Sequence, residues 1–243
     1  MKLVFIRHAD PDYVNDTLTP KGRREAEILS ERLILMPADK VYVSHLGRAL
    51  DTARPYLEKC GKEPVILDWL EEFPCRIDRP DDETKKHIVW DWLPQDWTRE
   101  DRFYDISEWT ENDRLRAGGV REKYEEVTAK FDELIAGLGY VRDGNIYTAK
   151  YPNMDTVLFF CHFGVEMVML SRLFNISPMI LWHSMCAAPT SLTTVVTEER
   201  RKGTASFRML GFGDVSHLVE ADEEISFQAR FCEMYDNLDE RHD

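Results

Sequence analysis

Little in this sequence supports a secretory or membrane route. Met1 to Phe5 carries one Lys and only a short apolar stretch before Arg7 and His8, too brief for a signal peptide or a membrane span. A cytoplasmic protein without membrane contact is the expectation. Cysteine is scarce as well: Cys60, Cys75, Cys161, Cys186 and Cys232 are odd in number and scattered, with no C-x-x-C pair. That excludes the usual zinc and dithiol frameworks and predicts reduced, mostly structural thiols. Basic charge is in deficit, with 31 Lys plus Arg against 45 Asp plus Glu and a net charge of -14. Such a surface repels a phosphate backbone, so nucleic-acid partners are discounted. Internal repeats, low-complexity tracts, H-E-x-x-H and aspartate clusters are all missing.

What is present is an ordinary globular mixture, 43% hydrophobic and 31% charged over 243 residues, enough for one large α/β domain or two small ones. Lys2 to Ile6 reads as a buried strand that stops abruptly at Arg7-His8. Thr19 as N-cap and Pro20 at the first helical position start a helix running through Leu33. A second strand, Val41 to Val43, stops at Ser44, and a helix from Leu46 to Leu57 carries Arg48 on its first turn. Val65 to Leu67 is a weaker strand. Thr156 to Cys161 is the strongest, halted by His162 and followed by an apolar helix from Val165 to Phe174. Ser177-Pro178 caps another helix, and Ser191 to Thr197 with Ala205 to Leu210 reads as a hairpin turning at Arg201-Lys202-Gly203.

Strands alternating with helices imply an α/β fold with a mainly parallel sheet covered on both faces, forming one domain over 1–243. Between Asp68 and Lys150 no strong strand is apparent; residues of about 74–150 read as an irregular and helical insertion, helical from Val120 to Leu138, acting as a lid. Asp78 to Arg116 holds 12 acidic and 7 basic residues, a net of -5, and five of the six Trp lie between Trp69 and Trp109. Packing of the lid's own core is the plainer reading of those rings. The sharper one is an aromatic wall with an acidic rim over a pocket, suited to a compact monophosphate.

In open parallel sheets, ligands bind beyond the carboxyl ends of the strands. Three predicted strand ends deliver Arg7 and His8, Ser44 with Arg48, and His162, so two guanidiniums and two imidazoles converge and an anion is the natural guest. Guanidiniums offer planar, permanently charged donors for a phosphoryl group. A neutral, oriented imidazole can attack phosphorus in line, and a second can donate a hydrogen bond to the group in flight. His8 with Asp10, or His162 with Glu166, could instead be half of a metal site. Two guanidiniums aimed at the same spot would repel a divalent cation, so neither metal nor cofactor is expected. His87, His183, His217 and His242 are read as structural or solvent-exposed, as is His45, although its place beside Arg48 could let it line the pocket.

Arg7-His8-Ala9 resembles the Arg-His-Gly motif of the histidine phosphatase, or phosphoglycerate-mutase-like, superfamily. Leu18-Thr19-Pro20-Lys21-Gly22 through Ala26 is similar to that family's first-helix signature. Ser44-His45-Leu46-Gly47-Arg48-Ala49-Leu50-Asp51-Thr52-Ala53 resembles its Ser-x-Leu-x-Arg-Ala-x-x-Thr-Ala motif, a specific match. Leu70-Glu71-Glu72, Cys161-His162-Phe163-Gly164 and Asp214 to Leu218 resemble three further motifs, and the likeness lapses across the insertion. The resemblance implies His8 as nucleophile, Arg7, Arg48 and His162 as the phosphate pocket, and Glu72 as acid and then base, with Glu71 in reserve. A carboxylic acid is needed because an alkoxide departs poorly unless protonated.

Ala9 and Phe163 stand where the family has Gly, and Phe73-Pro74 follows Glu72 in place of a glycine-bearing stretch. Asp10, His45, Glu71 and Phe163 are therefore the residues expected to shape the substrate pocket. Ala9-Asp10-Pro11-Asp12-Tyr13 lacks the Ser and Asn of mutases, which favours hydrolysis of a small phosphorylated metabolite. A mutase-type phosphotransferase and a non-catalytic phosphate sensor are the alternatives. The oligomeric state stays open, a homodimer included.

Overall fold

The computed structural model describes residues 1–228 throughout and, as backbone alone, 233–234 and 237–241. Cys232 and His242 lie outside the described residues. The strand Lys2–Arg7 alternates its side chains between two cores: Leu3 and Phe5 enter one, Val4 and Ile6 the other. That two-sided burial is why the run reads as continuously apolar. Parallel to it lies Thr156–Cys161, then Lys40–Ser44, with Val65–Leu67 at the edge. On its other side, Leu192–Arg201 and Thr204–Asp214 continue the sheet as an antiparallel hairpin, each strand running four residues further at its C-terminal end than expected.

The sheet has eight strands because Ile146–Ala149 and Tyr140–Asp143 extend it past that hairpin. This corrects the reading of the insertion as irregular and helical. Asp143-Gly144-Asn145 supplies the turn, and Thr204 and Ala205 supply the edge that Thr148 and Tyr147 pair with. A second hairpin, Arg76–Arg79 with Asp82–Ile88, lies apart from the main sheet.

Helix Pro20–Ile34 starts where Thr19 accepts from the Gly22 N–H, and Gly22 is needed there for another reason. A Cβ on it would meet the Asp10 carbonyl oxygen at 2.1 Å, so the loop after His8 rests directly on the helix. Helix Gly47–Cys60 turns Ala49, Ala53 and Tyr56 toward Leu158 and Phe160 of the sheet. Helices Val120–Gly137 and Phe163–Phe174 cover the opposite face, the latter starting two residues before its predicted beginning.

The tryptophans fill that second core. Trp182 lies 5.9 Å from Trp90, 5.7 Å from Trp109 and 5.4 Å from Phe73, centroid to centroid, all four rings buried. Burying one indole contributes on the order of 4 kcal/mol before entropy is counted, so these rings stitch the insertion to helix Pro178–Ser184. Cys60, Cys75 and Cys161 form no disulfide. No helix among the described residues is long and apolar enough to cross a membrane.

Candidate active site

The parallel register places Arg7 opposite Cys161, so the next residues of the two strands, His8 and His162, emerge side by side. Their ring centroids are 5.1 Å apart at 54°. His8 and His162 are 1% and 0% exposed, and Arg7 and Arg48 are 1% and 9%. All four sequence-predicted anion-binding residues are thus brought together and withdrawn from bulk water.

The two rings are held by different nitrogens. Nδ1 of His8 lies 2.8 Å from the Ala9 carbonyl oxygen, which can only accept, so Nδ1 carries the proton. Nε2 keeps its lone pair and has no hydrogen-bond partner within the protein. Burial first, and then the Arg7 charge, hold His8 well below the usual imidazole range, against the pull of the Ala9 bond. It is a neutral base. His162 Nε2 sits 2.9 Å from Ser44 Oγ, which already accepts from the Leu46 N–H and has its proton left to donate. With that proton given to Nε2, Nδ1 of His162 carries the ring hydrogen, and it too lacks a partner. Burial, reinforced by His8, Arg48, Arg7 and His45, keeps His162 neutral.

Arg7 donates through Nη1 to the Ala187 carbonyl, and Arg48 through Nη1 to Asp16 at 2.6 Å. Asp16 also accepts from the Gly47 N–H at 2.7 Å, so one carboxylate fixes both the start of the helix and the guanidinium on its first turn. Nε of each arginine is buried without a partner. Tyr13 roofs this corner, its ring centroid 5.5 Å from the Arg48 Cζ and 6.4 Å from the His8 ring.

Glu72 approaches from the segment after Val65–Leu67. Its Oε1 accepts from the Gly164 N–H at 2.8 Å and from the Phe73 N–H at 3.1 Å, which leaves Oε2 to carry a proton. The residue is partly exposed, but its carboxyl end is desolvated, and burial raises its pKa against the opposing charges of Arg7 and Arg48 and the two amide bonds. Phe73 does not displace it: buried against Trp182, Phe73 anchors the segment. Gly164 makes the approach feasible, since a Cβ there would stand 2.6 Å from Glu72 Oε1 and 2.4 Å from the Trp90 ring.

The remaining predicted pocket residues separate. Glu71 turns to Lys123 at 3.0 Å. Asp10 spends its two carboxylate oxygens on the hydroxyls of Thr19 and Ser226, and its amide on Glu25. Phe163, expected as a wall of the pocket, is buried edge-on against Trp90 at 6.2 Å in the second core. His45 stays at the mouth, with Nδ1 3.9 Å from Asp68. Among the described residues no three His, Cys, Asp or Glu side chains group as a metal-ligand set.

Sequence reasoning missed the residues that hold these groups in place. Asp16 reaches Arg48 across 32 positions. Thr190, in the left-handed region at φ 59, donates its N–H to the carbonyls of Arg7 and His8, and His217 braces its hydroxyl at 3.1 Å. No local pattern marks either residue.

A family model described as histidine phosphatase superfamily (branch 1) matches residues 3–208. A Schizosaccharomyces pombe protein whose name describes it as a probable phosphatase is 31% identical over 75 residues, which is 27% of this chain and 36% of that protein. The chain thus matches little more than a third of that relative's length. Among solved structures, a phosphoserine phosphatase from Entamoeba histolytica superposes with a TM-score of 0.60 at 18% identity, covering 89% of this chain and 98% of that one. A mycobacterial glucosyl-3-phosphoglycerate phosphatase gives 0.57 at 17%, covering 87% and 98%. The α-ribazole phosphatase of Shigella flexneri gives 0.54 at 20%, covering 86% and 96%. The fold is common to all three, and from the match over residues 3–208 the chain belongs to the histidine phosphatase superfamily.

Proposed function

We propose that the protein hydrolyses small phosphate monoesters without a metal, through a phosphohistidine formed on Nε2 of His8. The observation that carries this reading is the set of four buried polar atoms with no partner in the protein: Arg7 Nε, Arg48 Nε, His8 Nε2 and His162 Nδ1. A buried polar group left unsatisfied costs about 1–3 kcal/mol, so four in one site make a receptor for a ligand that satisfies them together. A phosphoryl group does so, with oxygens for three donors and an electrophilic phosphorus for the lone pair.

The steps follow from the atoms. His8 Nε2 bonds to phosphorus while the ester P–O bond breaks, and the Oε2 proton of Glu72 goes to the departing oxygen. The arginines and the His162 N–H hold the equatorial oxygens. Water then attacks phosphohistidine, Glu72 takes its proton, the P–N bond breaks, and inorganic phosphate leaves. Glu72 suits both turns because its pKa is raised while two N–H groups fix its position. Glu71, engaged by Lys123, does not.

Asp16, paired with Arg48, and Asp68, near His45, add negative charge close to the site, which disfavours a second phosphate and favours a monophosphate. The named activities of the structural neighbours, on phosphoserine, glucosyl-3-phosphoglycerate and α-ribazole phosphate, are in keeping with that class. A panel of monoesters assayed for free phosphate in the presence of a chelator tests the reading. Turnover on at least one ester, lost in His8→Ala with the fold intact, supports it. Interconversion of 3-phosphoglycerate primed by a bisphosphoglycerate, with little free phosphate, would establish a mutase. Binding without turnover would establish a sensor.

A further inference from the structure

One acidic group beside the site has no part in these steps. Glu166 lies on the first turn of helix Phe163–Phe174, four residues after His162, and is 1% exposed. Neither of its carboxyl oxygens has a well-formed hydrogen bond, and the Arg7 Nε is equally without a partner. The groups that face it come from four directions: Arg7 from the first strand, Glu72 from the segment after Val65–Leu67, the Cys161 thiol from the neighbouring strand end, and the Thr193 hydroxyl from Leu192–Arg201. Only Arg7 brings a positive charge. Family motifs did not single this position out, and the sequence offered it only as half of a metal pair.

A carboxyl enclosed this way stays protonated until the solution is near neutral, because desolvation outweighs the pull of Arg7 and Thr193, and a charged Glu72 would push it further; it is raised to about 7. While neutral, it leaves the whole Arg7 charge to an incoming phosphoryl group. Once ionised, it competes for the same guanidinium from inside the protein and places a like charge beside Glu72.

We propose that Glu166 is a positioning residue which sets the anion affinity of the site, its buried and unpartnered carboxyl either leaving the Arg7 charge to the phosphoryl group or drawing on it. The proposal rests on the phosphatase reading only in taking the anion to be a phosphoryl group. By linkage, an anion bound at Arg7 must in turn favour the protonated carboxyl.

Sulfate binding measured by calorimetry across neutrality tests this independently of turnover, because sulfate keeps one charge state over that range. In the wild type, affinity should fall about tenfold as Glu166 ionises. In Glu166→Gln, of the same shape and permanently neutral, the fall should be much shallower, leaving only what the ionisation of Glu72 contributes, and binding should take up fewer protons from buffer than in the wild type. Glu166→Met, which also removes the charge, should behave alike if the Gln variant folds poorly. A wild-type affinity that is flat with pH, or a fall that persists unchanged in the neutral variants, would overturn the proposal. If sulfate behaves as expected but no monoester is hydrolysed, the phosphatase reading fails and the role of Glu166 stands.

Discussion

Replacing Gly164 with Ala puts the largest structural demand on the smallest chemical change. On helix propensity alone the substitution should help, since Gly costs about 0.5–1 kcal/mol relative to Ala within a helix. The packing says otherwise. The new methyl would sit 2.6 Å from Glu72 Oε1 and 2.4 Å from two Trp90 ring atoms, against an ordinary contact of at least 3.4 Å. Relief requires Glu72 to retreat by about 0.8 Å and Trp90 by about 1 Å, the differences between those distances. Retreat stretches the 2.8 Å bond from the Gly164 N–H that fixes the carboxyl. An error of about 1 Å in a reacting group costs on the order of 100-fold in rate. The three nearest atoms to the new methyl group belong to Trp90 and Glu72, and none to Arg7, Arg48, His8 or His162, so phosphate affinity should change far less than kcat.

The assay compares kcat on an alkyl phosphate, whose leaving group needs the Glu72 proton, with kcat on an activated aryl phosphate, whose leaving group does not. Gly164→Ala should lose about 100-fold on the first and far less on the second. Equal losses on both, or none on the alkyl ester, would refute the assignment of Glu72 as the acid held by Gly164.

Ser44→Ala should lower kcat by about tenfold with little change in melting temperature, because His162 loses the hydroxyl that fixes its tautomer; unchanged kcat would count against His162 as the donor to the phosphoryl group. The kcat of the wild type on alkyl esters should fall with rising pH through the raised pKa of Glu72, with no acid limb until well below the usual imidazole value, since His8 and His162 stay neutral there. A kcat profile in Glu72→Gln that falls as steeply on the alkaline side as that of the wild type would contradict this. Glu25, fully buried, accepts the Asp10 N–H and is raised from 4.5 to about 7. The folded state therefore binds the extra proton, and stability is lost as pH rises from 4.5 to 7, by at most about 3 kcal/mol. Glu25→Gln should melt higher than the wild type at pH above about 7 and match it at low pH; a gain that does not depend on pH would sink that account.

The elements that carry the site were legible because each is a local signal. Thr156–Cys161 is a continuous apolar run ending in His162, and its predicted bounds match the structure. Thr19-Pro20 caps Pro20–Ile34 by rules that act within four residues. The hairpin Tyr140–Asp143 with Ile146–Ala149 was passed over because its strands are four residues each and are sheltered only by pairing with Thr204 and Ala205 far along the chain. The same physics separates what was read at the site from what was missed. His8, Arg48 and His162 end strands or begin helices, whereas Asp16 and Thr190 reach them from distant parts of the chain, with no pattern of their own in the sequence. Phe163 is expected to shape the pocket because it stands where the family has Gly, and its large apolar ring packs edge-on against Trp90 in the core.

The central claim is that Nε2 of His8 becomes covalently bonded to phosphorus. Rapid quench of the enzyme with a radiolabelled monoester under alkaline conditions, followed by digestion, tests it most directly. The account predicts an acid-labile, alkali-stable label on the peptide containing His8, attached at Nε2, absent from His8→Ala and persisting longer in Glu72→Gln. Turnover with no labelled protein at any time, or label on another side chain, would contradict it.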